Sequence, residues 1–219
     1  MAWTEQRIPT NGILLNVVDT GVPEGGNSDK YAGETLLLMH GLTANLHSFD
    51  GLLHAGLGEG MRAIAVDLRG RGLSDKPASG YHMEDHAQDI LGLLAHFGLE
   101  QAIFVGHSFG GLLSMYMAKH HPHVIKKMVI LDAGKEATHP SVLPKIKPSL
   151  ERLGKAVPSW DVFINAIKQS PYYAEDTWND DLEAYYRADV ETLNDGSVRS
   201  RVYADGIQEA VEKIIALDW

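Results

Sequence analysis

The string Gly106-His107-Ser108-Phe109-Gly110 sets a hydroxyl between two glycines, directly after an apolar run at residues 102–105 and directly before a segment with helical spacing. Strand, sharp turn and helix in that order make a nucleophile elbow, which strains the serine backbone and pushes its hydroxyl clear of the sheet. The residues two positions to either side must then be small, as Gly106 and Gly110 are, and Gly111 lets the helix lie close to the sheet. A bare Gly-x-Ser-x-Gly match is weak. The flanking strand and helix are what disfavour the alternative, a glycine-rich turn with a capping serine. Ser108 is the candidate nucleophile, and a serine favours acyl transfer.

The second constellation, His40-Gly41-Leu42-Thr43, follows the apolar run at 35–39. A loop there can aim the Leu42 backbone N–H toward the serine, and the Phe109 N–H joins it from the helix N-terminus. Two such donors form an oxyanion hole for a tetrahedral intermediate, each worth about 3 kcal/mol. Leu42 and Phe109 matter by backbone position, with His40 and Gly41 as the supporting loop.

A serine hydroxyl also needs a base, and the base an orienting carboxylate. Asp132 closes an apolar run at 128–131. None of the eleven histidines is expected to be the base. His40 is expected to pack in the oxyanion loop, and His120, His121 and His123 to end a helix on the far side of the sheet. His47, His54, His82, His86, His96 and His139 read as surface or partly buried residues. No His and Asp cluster has metal-ligand spacing, so no metal and no cofactor are expected.

The elements that must position these groups follow from hydrophobic pattern. Runs at 35–40, 63–67, 102–106 and 128–132 read as buried parallel strands, and 12–18 as an antiparallel strand leading into the sheet. One helix carries Met83, Ala87, Ile90, Leu91, Leu94 and Phe97 on its apolar face. Others are expected over 46–57 and over 109–121, the latter stopped by Pro122. Strands alternating with helices predict an α/β fold, a doubly wound, mostly parallel sheet, with residues 1–134 as its core.

From Lys135 the pattern changes: Pro140, Pro144, Pro148 and Pro158 punctuate a stretch without strand-like runs. Residues 135–219 are expected to form a helical lid, with helices near 160–168, 182–193 and 207–217. Its Trp160, Phe163, Tyr172, Tyr173, Trp178, Tyr185 and Tyr186 can wall an apolar pocket.

Composition bounds the function. The 219 residues, 44% hydrophobic and 22% charged, describe an ordinary globular protein, and the net charge of -10 disfavours nucleic acid and anionic membrane as partners. The absence of cysteine excludes disulfides and thiolate chemistry within this sequence. The opening residues carry neither a basic leader nor an apolar core, so a cytoplasmic location is expected.

His40-Gly41, Asp67-Leu68-Arg69-Gly70-Arg71-Gly72-Leu73-Ser74 and Gly106-His107-Ser108-Phe109-Gly110-Gly111 together resemble the α/β-hydrolase superfamily in order and spacing. The esterase, epoxide-hydrolase and haloperoxidase-like branch is the nearest in pattern, over about residues 10–134. The resemblance implies cleavage of a small carboxylic ester through an acyl-enzyme. Lactonase, thioesterase, carbon–carbon hydrolase and cofactor-free perhydrolase activities share the fold, as do ligand-binding members that do not turn over. It also implies that the loop 67–74 is structural, with Arg69 tying loops together, and that His107 points away from the elbow tip; because some members place the triad acid after the corresponding strand, it makes Asp132 the internal candidate for that acid. Epoxide hydrolases and haloalkane dehalogenases resemble this pattern but carry a carboxylate where Ser108 stands. In the family the base and usual acid follow two further strands, and no such run occurs here. A C-terminal segment or a second polypeptide is therefore expected to cover the apolar edge at 128–131 and to supply the histidine.

Overall fold

In the computed structural model, residues 3–22, 33–169, 173, 177–217 and 219 are described. The chain begins with a hairpin of β1 (Thr4–Thr10) and β2 (Ile13–Asp19), registered Thr10 to Ile13. Its two-residue turn, Asn11-Gly12, has both φ angles positive, at 44° and 77°, as the favoured hairpin turns of this length require. β1 was not among the expected strands. Its polar alternation and Pro9 fit an edge position, where half the residues face water.

β3 (Thr35–Met39), β4 (Arg62–Val66), β5 (Ala102–His107) and β6 (Ile125–Leu131) complete a six-stranded sheet in the order β1-β2-β4-β3-β5-β6. β2 meets β4 antiparallel, and the pairs β3–β4, β3–β5 and β5–β6 are parallel. All five residues of β3 are buried, as a strand with both faces covered demands.

A long expected helix over 46–57 is replaced by a 3-10 turn, Leu46–Phe49, and the one-turn α1 (Asp50–His54). Gly56, Gly58 and Gly60, all at positive φ, carry the chain from there into β4. α2 (Met83–His96) and α3 (Phe109–His120) cover one sheet face, enclosing Phe104, Ile90, Leu94 and Leu113. Leu46 and Phe49 pack on the other face against Val18, Leu36, Leu38 and Val105. The result is the doubly wound α/β architecture. Among the described residues β6 pairs only with β5, leaving Met128 and Val129 39% and 45% exposed at the sheet edge.

Beyond Lys135 come α4 (Leu143–Glu151), α5 (Trp160–Lys168), α6 (Asp180–Asp189) and α7 (Ala204–Ala216). The expectation of no strand in this region is corrected by a small sheet of β7 (Ala156–Val157), β8 (Val190–Thr192) and β9 (Val198–Ser200), ordered β7-β9-β8. The helix expected over 182–193 accordingly stops at Asp189, where β8 takes over. Strands of two or three residues are too short for an apolar run to register. α7, read from sequence as a lid helix, places Ala210 and Ile214 in the main core, against α2. No described helix is long and apolar enough to cross a membrane.

Candidate active site

Ser108 follows β5 and caps α3 with φ 50° and ψ −112°, a left-handed backbone that a side chain adopts only at a cost. Two bonds hold it there: the Ser108 N–H donates to Leu131 O at 2.9 Å, and the Gly110 N–H to His40 O at 3.1 Å. The elbow's glycines are required by contact. A Cβ on Gly106 would lie 2.3 Å from Gly110 O, and one on Gly110 would lie 2.1 Å from Met39 O.

His40 is fully buried and its ring is used up by structure. Its Nε2 accepts from the Leu68 N–H at 3.0 Å, which leaves the proton on Nδ1 to be donated to Gly41 O at 2.7 Å. Burial pushes its pKa down to about 3, so the ring is neutral. His40 thus packs in the loop that carries Gly41 and Leu42, and has no free nitrogen to act as a base.

A cavity of about 80 Å³ opens beside Ser108, walled by Leu42, Phe109, Leu112, Val142, Ile146, Val211, Ile214 and Ile215. Ser108, Leu42 and Phe109 thus line one cavity. α7 supplies part of the wall through Val211, Ile214 and Ile215. His139, read as a surface or partly buried residue, is exposed and lines the rim of the same cavity; its Nδ1 lies 2.9 Å from Ser141 Oγ. Among the described residues no histidine is hydrogen-bonded to the Ser108 side chain.

His107 lines a second, larger cleft of about 520 Å³ between α1 and α6, with His47, Leu131, Asp181, Tyr185 and Tyr186. Its Nδ1 would be 3.2 Å from a Cβ on Gly41, so the imidazole packs on the backbone of the loop after β3. Of the aromatic residues expected in the lid, Tyr173, Tyr185 and Tyr186 border this cleft, whereas Tyr172 lies outside the described residues. Asp132 directly follows β6 at φ 48°, with its side chain exposed.

The loop 67–74 is tied by charge. Arg69 holds Asp89 through two bonds, at 2.6 and 2.5 Å, and also donates to Gly80 O. Asp67 is buried and accepts from Asn16 Nδ2, Leu46 N and Leu73 N at 2.8–2.9 Å. Burial raises its pKa against these bonds. His86 departs from its sequence reading: it is fully buried, with its ring edge-on to Phe109 at 4.9 Å. Its spacing was a signal that could have found it, because His86 stands three residues after Met83 and four before Ile90, on the buried face of α2. No group of three His, Asp or Glu side chains converges as a metal site among the described residues.

A family model of the alpha/beta hydrolase fold matches residues 34–170, which contain the elbow, the His40 loop and the arginine loop. The chain belongs to this family. Its curated relatives include a 2-(acetamidomethylene)succinate hydrolase of Mesorhizobium japonicum, 37% identical over 59% of this chain and 43% of the relative. Another is epoxide hydrolase 2 of Siraitia grosvenorii, 33% identical over 62% of this chain and 40% of the relative. The aligned region is less than half of either relative. Among solved structures, an E-2-(acetamidomethylene)succinate hydrolase superposes with TM-score 0.78 at 25% identity, covering 97% of this chain and 74% of that one. The fold is thus shared well past the region of clear sequence similarity.

Proposed function

We propose that this hydrolase-family chain carries the nucleophile of a serine hydrolase that cleaves carboxylic esters through an acyl-enzyme at Ser108. The observation that carries the reading is the left-handed elbow, with Ser108 facing an apolar cavity that Leu42 and Phe109 also line. The Ser108 oxygen attacks the ester carbonyl, and the Leu42 and Phe109 N–H groups receive the developing oxyanion. The alcohol leaves with a proton from the base, and water then releases the acid by the reverse sequence.

Asp132 is the proposed acid, because it stands beside Ser108 on the neighbouring strand end. The base is a histidine on a segment, of this polypeptide or another, that pairs along β6; the exposed Met128 and Val129 support such a partner. A relative named as an epoxide hydrolase does not redirect the reading, since a serine at the elbow suits acyl transfer rather than displacement at carbon. The wall of the cavity contains no Lys or Arg among the described residues and is mostly aliphatic, which favours an uncharged acyl group. A cytoplasmic enzyme without cofactor fits this chemistry.

The test is turnover of p-nitrophenyl acetate by the full native chain, together with labelling by a fluorophosphonate. Repeated turnover that Ser108→Ala abolishes, with loss of the label, is expected. Binding of small esters without turnover overturns the reading in favour of a ligand-binding role.

A further inference from the structure

Arg71 is fully buried, and no carboxylate pairs with it among the described residues. A buried charge without a counter-ion is costly, so its surroundings must use it. Nε donates to Leu42 O at 3.0 Å, and Nη1 to Arg69 O at 2.6 Å. The guanidinium carbon lies 4.8 Å from the centroid of the Phe109 ring. His86 packs edge-on to the same ring and brings its Nε2 to 3.5 Å from Arg71 Nη1. His86 cannot share the charge, since burial and the neighbouring arginines hold its pKa well below the usual histidine value. Burial lowers Arg71 only to about 9, so it remains a cation at neutral pH.

Leu42 and Phe109 come from different loops, 67 positions apart, and the Arg71 side chain touches both. Arg71 grips the first through its carbonyl and the second through its ring, by a bond and a cation–π contact. We infer that Arg71 is a positioning residue of the oxyanion site, a single guanidinium that sets the Leu42 and Phe109 backbones in register and keeps a positive charge beside both. Lysine cannot reproduce this, because a point charge lacks the planar fork that reaches Leu42 O and Arg69 O while lying against a ring. The inference rests on the oxyanion reading of Leu42 and Phe109.

The experiment compares the full native chain with Arg71→Met and Arg71→Lys, by steady-state hydrolysis of p-nitrophenyl acetate and by amide resonances of the 15N-labelled proteins. Arg71→Met is expected to lower kcat about 100-fold with KM changed less than about two-fold, since the loss falls on the transition state. Arg71→Lys should fall between Arg71→Met and wild type. The Leu42 and Phe109 amide resonances should move together in both variants, while those of β1 stay in place. Unchanged kcat in a folded variant, a change confined to KM, or Leu42 and Phe109 resonances that stay put overturns the inference. If Arg71→Met does not fold, Arg71→Lys alone decides on the same criteria. Should the wild type hydrolyse no ester, the esterase reading fails, and the resonances then decide the coupling separately.

Discussion

Ser108 and Asp132 each stand one residue beyond a paired position of neighbouring parallel strands, His107 beside Leu131, and both hold left-handed backbone, at φ 50° and 48°. The two residues therefore share one rim of the sheet, the rim at which open α/β sheets hold their ligands. Each such angle costs about 1–3 kcal/mol for a residue with a side chain. Strain repeated on adjacent strand ends points to a rim shaped for chemistry.

Ser108→Gly should remove ester turnover and fluorophosphonate labelling while raising stability by about 1 kcal/mol, because glycine adopts this backbone without strain. Urea denaturation of the mutant and of Ser108→Ala checks it. A glycine variant no more stable than the alanine variant would show that the elbow carries no strain.

Asp132→Ala should lower kcat about 10⁴-fold, since a histidine base without its acid is misoriented and its cation is not stabilised. Its stability should change little, as the side chain is exposed. Steady-state kinetics on p-nitrophenyl acetate measure this. Turnover within a few-fold of wild type assigns the acid elsewhere.

Acyl selectivity follows from the cavity wall. Butyrate esters should be preferred over hemisuccinate esters by about 100-fold or more in kcat/KM, because burying a carboxylate among Leu112, Val211 and Ile215 leaves it without a partner. Val211→Arg should narrow that ratio. Equal rates on the two esters would place the acyl group elsewhere.

Breaking the Arg69–Asp89 pair should be among the more damaging substitutions in the arginine loop. Both side chains are buried, so Asp89→Ala strands a cation and should cost about 3–5 kcal/mol. Thermal unfolding reads the loss directly. A shift in midpoint no larger than that of a surface substitution would mean that the pair is dispensable.

The stability of the fold should fall as pH drops below 6.5. His40 has a folded pKa of about 3, so between these values the unfolded state binds a proton that the folded state refuses. From pH 7.5 to 5.5 this costs about 1.4 kcal/mol for His40. His86 acts in the same direction. His47 opposes them: despite burial, its bond to Asp50 raises its pKa, so its contribution is present at low pH and lost as pH rises. Denaturation midpoints at the two pH values, compared with those of His40→Asn, measure the slope.

The parts legible from sequence were those with a local signature. β3 and β5 are unbroken apolar runs, α2 has a clear apolar face, and the elbow's glycines are spaced by contacts within a few residues. What escaped was set by distant neighbours or by shortness. β8 and β9 are three residues each, although Asn194-Asp195-Gly196 between them is a turn signal that could have found them. α1 looked longer because Leu52, Leu53 and Leu57 keep helical spacing through glycines that end the helix. The burial of Arg71 has no local sign, since it is enclosed by residues from other segments, whereas that of His86 was signalled by its place between Met83 and Ile90 on the apolar face of α2.

The Ser108 N–H is anchored to Leu131, on a strand that stands at the sheet edge among the described residues, whereas the Gly110 N–H is anchored to His40, beside the central β3. Fraying begins at edges, where a ladder has one neighbour and apolar side chains meet water. Where no segment is paired along β6, a sub-global opening of that strand therefore releases the turn on the serine side and leaves the helix side stapled. Amide exchange at Ser108 should follow this cheap opening and exchange at Gly110 the rarer, deeper one, so that heat disarms the elbow before it melts the sheet.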